Sequence, residues 1–305
     1  MSSAIIAIFS MYIFIVLGFM AKKIFTQDIH SKTLNLLSVY ILQPFLPFWG
    51  LMQRPIDSSV IQAPLWYLFI VLSILVLTKP LINILFKQPQ ERSIASISAI
   101  VGNTGNLGIP LGIAIFGLSS VPIMTLINLM NIFIVYTLAV YIYSRGNFSI
   151  KDSLLNVIKL PILWFAILAL ITNVSEVLIH EQIMKMLHMG AFASMVIQLL
   201  LFGIYLQESH IKEINKQLLA WVMSMKFIII PIVTVLLLSL SSLSLEVQAM
   251  IFMELFMPLA VANINIASLY QCQVSTVTVL VFISSMLFLI LMFIYLPLMS
   301  KLYLI

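Results

Sequence analysis

Apolar stretches of about twenty residues, the length a bilayer core requires of a helix, follow one another along almost the whole of this chain. Lipid offers no partner to a backbone N–H or C=O, so each stretch must satisfy its own polar groups. Ten helices are predicted near 4–20, 34–53, 63–86, 93–117, 120–143, 155–173, 188–207, 217–240, 247–270 and 275–300, with short loops and no room for a soluble domain. Composition agrees. Only 8% of the 305 residues are charged and 62% are hydrophobic, against about 25% charged in soluble domains. A water-soluble core is excluded.

The net charge of +5 comes from basic residues scattered near helix ends, a topology signal rather than a nucleic-acid surface. The loops after spans one, three, five and seven collect Lys22, Lys23, Lys32, Lys87, Arg92, Arg145, Lys151, Lys212 and Lys216, while the opposite loops hold Arg54, Lys185 and Lys301. Positive loops stay inside, so the first group is predicted cytoplasmic and both termini outside, in the cell membrane. Ala4–Met20 lacks preceding basic residues and is followed by Lys22 and Lys23. A cleavable signal has the reverse order, so a retained first span is expected.

Two helix-breaking segments interrupt this pattern: 102–112, with Gly102, Gly105, Gly108, Pro110 and Gly112, and 257–265, with Pro258, Asn263 and Asn265. A shift of 148 residues lays Pro110 on Pro258 and spans one to five over six to ten. Five is odd, so the second copy enters the membrane from the other side. The expected fold is therefore an all-α polytopic membrane protein of two inverted five-helix repeats, 1–146 and 147–305. Matched breaks in such repeats mark a midplane substrate site.

Proline lacks an N–H and leaves the carbonyl four residues earlier unpaired. Pro110 thereby frees the carbonyl of Asn106, and Pro258 that of Glu254. Oxygens so placed suit a proton, a sodium ion or a water, and the half-helices beyond each break favour an anion. The bland alternative is a pair of ordinary proline kinks satisfied by neighbouring helices. Asn103, Asn106, Asn263 and Asn265 offer donors and acceptors that hold a carboxylate without desolvating a full charge, with helix–helix hydrogen bonding as the alternative for Asn103, Asn263 and Asn265. Glu254, roughly 10 Å into span nine, is the ion-coupling candidate, with snorkelling or a neutral hydrogen-bonded acid as its alternative. Lys226 reaches a similar depth as its partner or the cargo's countercharge, or else snorkels inward. Lys79, its repeat counterpart, reads as structural. The glycine stripe suits close helix approach, Asn128 and Asn131 suit interhelical hydrogen bonds, and Gln43-Pro44 bends span two.

Enzyme signatures are missing: no HExxH, GxSxG or Walker loop occurs, and His30, His180, His188 and His210 lack ligand spacing. The lone Cys272 allows neither an internal disulfide nor paired-cysteine zinc ligation. No cofactor and no metal are expected.

Leu17-Gly18-Phe19-Met20-Ala21-Lys22-Lys23, Leu42-Gln43-Pro44-Phe45-Leu46-Pro47, the Asn103–Pro110 break, Lys159-Leu160-Pro161-Ile162-Leu163 and Pro258–Asn263 followed by Tyr270 together resemble the auxin efflux carrier family, which includes bacterial malate and malonate permeases. The resemblance implies a ten-helix inverted repeat with crossed, broken fourth and ninth helices, elevator-like alternating access, an organic-anion cargo and a homodimer. The long cytoplasmic loop of plant members is missing, since 144–154 is short. A secondary transporter of a small organic anion such as malate or malonate is expected, with proton or sodium coupling. A carrier of amino acids or auxin-like weak acids, and a membrane sensor or channel, are the alternatives.

Overall fold

Prolines shape these helices, and four π-helical stretches show how. In the computed structural model, which describes residues 2–144, 155, 158–208 and 215–303, the stretches are Ser38–Leu42, Thr104–Gly108, Val135–Ala139 and Met225–Ile229. Three of the four end two residues before a proline: Pro44, Pro110 and Pro231. A proline ring clashes with the carbonyl four residues back. Widening that turn to an i→i+5 pattern relieves the clash without ending the helix. Gln43 accordingly donates its N–H to Ser38 O at 2.8 Å.

Every regular element among the described residues is a helix, beside one isolated antiparallel bridge. The helices are α1 (Ser2–Ile24), α2 (Ser31–Leu37), α3 (Phe45–Leu51), α4 (Ser58–Leu85), α5 (Pro89–Ile97), α6 (Ile109–Phe116), α7 (Val121–Ile134), α8 (Val140–Tyr143), α9 (Pro161–Val174) and α10 (Glu181–Glu208). Then come α11 (Lys216–Ser224), α12 (Ile230–Leu238), α13 (Leu245–Phe256), α14 (Ala262–Leu269) and α15 (Val274–Tyr303). Among the described residues, seven helices are long and apolar enough to cross a membrane: Ile5–Ile24, Ser31–Leu51, Val60–Leu85, Leu118–Tyr143, Glu181–Glu208, Lys216–Leu238 and Val274–Tyr303. They coincide with expected spans one, two, three, five, seven, eight and ten. Span six is seen as the 14 residues of α9. Spans four and nine are each divided, into α5 and Thr104–Phe116, and into α13 and α14. Arg145, Lys151, Lys212, His210 and the boundary at 146 lie outside the described residues.

The chain forms two compact units, each drawing on both halves of the sequence. The first comprises Met1–Ile61, Gly105–Leu129 and Ile158–Ser209. Within it α1 and α10 meet backbone to backbone. A Cβ on Gly18 would lie 2.0 Å from Leu200 O, and one on Gly203 1.9 Å from Ile15 O. Small residues permit this approach, the main source of helix association in lipid. Lys22 closes the end of the pair, bridging to Glu208 at 3.0 Å and donating to Ile29 O at 2.7 Å. Asn173 fastens the end of α3: its Nδ2 donates to Leu51 O and Arg54 O, both at 2.8 Å, and its Oδ1 accepts from Ile56 N. The glycine stripe also serves close approach, with Gly105 against Asn128 and Gly112 against Met124.

The second unit comprises Gln62–Thr104, Met130–Val157 and His210–Ile305. Its core stacks Phe252, Phe256, Phe288 and Tyr295, with the Phe256 and Tyr295 rings 4.0 Å apart. This unit holds α5, α13 and α14, and with them the candidate site.

Candidate functional site

Both breaks open into extended chain, and there they pair. Met257 precedes a proline, which disfavours the helical region, and takes φ −51°, ψ 142°, ending α13. On the other segment α5 ends at Ile97, and the chain turns through Ser98–Val101 to Gly102. Gly102 and Leu259 then form an antiparallel bridge. Asn103 N donates to Pro258 O at 2.8 Å, and Ala260 N to Val101 O at 2.9 Å. Two short extended segments thus satisfy one another at a depth where lipid cannot.

Side chains from other helices cap what the pairing leaves open. Leu259 N donates to Ser284 Oγ at 3.1 Å. Asn131 Nδ2 donates to Gly102 O at 2.8 Å and to Thr104 Oγ1 at 3.0 Å, while its Oδ1 accepts from the Tyr67 hydroxyl. Asn263 Nδ2 faces Val101 O and Ala260 O, each at 3.1 Å, and Ser98 O at 3.4 Å. Its Oδ1 accepts from the Tyr143 hydroxyl at 3.2 Å.

Lys226 and Glu254 are both fully buried. Lys226 does not snorkel: a Cβ on Gly102 would lie 3.2 Å from its Nζ and 3.4 Å from both Glu254 O and Met257 O. The ammonium therefore shares the small space over the bridge with the carbonyl that Pro258 frees. No ion pair closer than 4.0 Å joins Lys226 to Glu254, and the lysine Nζ and both carboxylate oxygens have no hydrogen-bond partner among the described residues. Buried polar groups without partners are costly in a low-dielectric interior, so these three atoms remain open to a further partner. Lys79, by contrast, is exposed.

The other expected residues are spread more widely. Asn103 is buried beside the bridge, and Asn265 is half-buried on α14. Gly105, Asn106, Gly108 and Pro110 lie beyond the opening, in the π-helical stretch and the first turn of α6, and belong to the first unit. The first opening thus precedes Pro110 by several residues, because the π-helical turn absorbs the proline. Tyr67, Tyr143 and Ser284 are not foreseen in the sequence argument. The signal available was a tyrosine within or at the end of an apolar span, since a buried phenol needs a partner.

Residues 3–153 match the model of the membrane transport protein family. No curated protein matches the chain. The matched half contains the first break, with the Asn103–Pro110 motif, and the Tyr67, Asn131 and Tyr143 that hold the bridge. With apolar helices throughout and two polar breaks meeting at depth, the chain belongs to this membrane transport family, the auxin efflux carrier family.

Proposed function

We propose that the chain is a secondary transporter of a small organic anion, a mono- or dicarboxylate such as malonate or malate. The observation that carries this reading is the paired break: a bridge of extended chain, ringed by amides, with the buried tip of Lys226 and the backbone carbonyl of Glu254 set against Gly102. Lys226 supplies attraction for an anion, and the amides of Asn103, Asn106 and Asn265 orient it by hydrogen bonds. Asn103, Asn263 and Asn265 stand on the bridge-bearing unit. Asn106 enters on the sequence argument alone. Glu254 exchanges the coupling proton or helps hold a sodium ion.

The ten spans form two inverted repeats with crossed fourth and ninth helices, and both termini face outward across the cell membrane. The cycle is elevator-like alternating access, with the protein working as a homodimer. The test is uptake of radiolabelled malonate into proteoliposomes under imposed proton and sodium gradients. Asn265→Ala and Asn106→Ala are expected to raise KM severalfold, and Glu254→Gln to abolish gradient-driven accumulation while leaving exchange. Unchanged accumulation in Glu254→Gln overturns the coupling role. Uptake of indole-3-acetate or amino acids in place of any dicarboxylate overturns the cargo class.

A further inference from the structure

One side chain touches both breaks. Asn263 Nδ2 reaches Ser98 O and Val101 O on the first segment and Ala260 O on its own. Val101 O is also the acceptor of the bridge hydrogen bond from Ala260 N. The amide therefore reinforces one end of the bridge at the carbonyl where the two segments join. It is fully buried, with its donor end turned to backbone carbonyls and its acceptor end to Tyr143. A flipped amide would set its own oxygen against those carbonyls and leave the phenol facing an NH2. Its orientation is thus fixed from both ends.

We infer that Asn263 holds the bridge rather than touching cargo, and that Tyr143 is a positioning residue acting through it. Tyr143 is fully buried at the end of the short helix α8, which continues the π-helical stretch Val135–Ala139. Its hydroxyl donates to Asn263 Oδ1 across 120 residues of sequence. Removing that hydroxyl leaves a buried amide oxygen without its donor, a loss that falls on the group left behind. The bridge then loosens at Val101 and Ala260 while the aromatic packing of residue 143 is retained.

The inference rests on the anion-transport reading only for its transport measurement; the exchange measurement is independent of it. In purified full-length protein, Tyr143→Phe is expected to speed amide hydrogen exchange in peptides covering 98–104 and 257–263, leaving α1 and α10 unchanged. Unchanged exchange in both bridge peptides overturns the inference. In proteoliposomes, Tyr143→Phe is expected to raise the KM for malonate severalfold, and to have no further effect in an Asn263→Ala background. Residues acting in series are non-additive in this way. Equal effects of Tyr143→Phe with and without Asn263 overturn the positioning role. If Asn263→Ala does not assemble, Asn263→Ser serves as the background. If the wild type takes up no malonate, the anion reading fails, and the exchange data decide the clamp alone.

Discussion

Two glycines make contrasting demands on their surroundings. A methyl group on Gly18 would meet the Leu200 carbonyl at 2.0 Å. Backbone in the middle of α10 cannot withdraw, so the two helices would have to part. A methyl on Gly102 would meet the tip of Lys226 at 3.2 Å, and a flexible lysine end can give by a few tenths of an ångström. Overpacking costs about 1–3 kcal/mol and sometimes more. Gly18→Ala is expected at or above the top of that range and Gly102→Ala near its lower end, as read by thermal unfolding in detergent. The reverse ranking would contradict the close approach of α1 to α10. Gly102→Ala should also lower uptake more than its small stability loss suggests, because it displaces the ammonium over the bridge.

The helices show which features were legible beforehand. The apolar pattern placed the spans to within several residues, because hydropathy is a property of each segment alone. The second break was legible at Pro258, since a residue before proline leaves the helical region by local sterics. The first was expected around Pro110, yet the chain opens at Ser98–Asn103. There the opening is held by Asn131 and Asn263; both amides stand out in the sequence, Asn131 as an interhelical hydrogen-bonding residue, but nothing local to 98–103 says that they meet there. Proline–π pairing gives its own prediction. Lys226 lies within the π-helical stretch ahead of Pro231. Replacing that proline removes the clash that favours the widened turn, and return to α geometry rotates Lys226 against the following helix by up to about 100°. Pro231→Ala is expected to assemble and to lose most of its uptake. Pro297→Ala, within the continuous helix α15, is expected to retain it. Equal loss in both would detach the lysine's placement from the proline.

Each compact unit takes segments from both halves of the chain. The inverted repeat proposed above has an odd number of spans per copy, which makes its topology testable by charge. Lys87 and Lys185 are both exposed; Lys87 follows an odd span, in the loop after α4, and Lys185 follows an even one, in the first turns of α10. The positive-inside rule puts Lys87 in the cytoplasm and Lys185 outside. Cys272 is the chain's one cysteine and is buried, so Cys272→Ser provides a background for single reporters. In intact cells a membrane-impermeant maleimide should label Lys185→Cys at once and Lys87→Cys only after permeabilisation. Labelling of both in intact cells would place the two positions on one face and remove the odd span that the inverted repeat requires. The opposite pattern would keep the repeat and reverse its orientation, turning Lys226 and Glu254 toward the other compartment as the cycle begins.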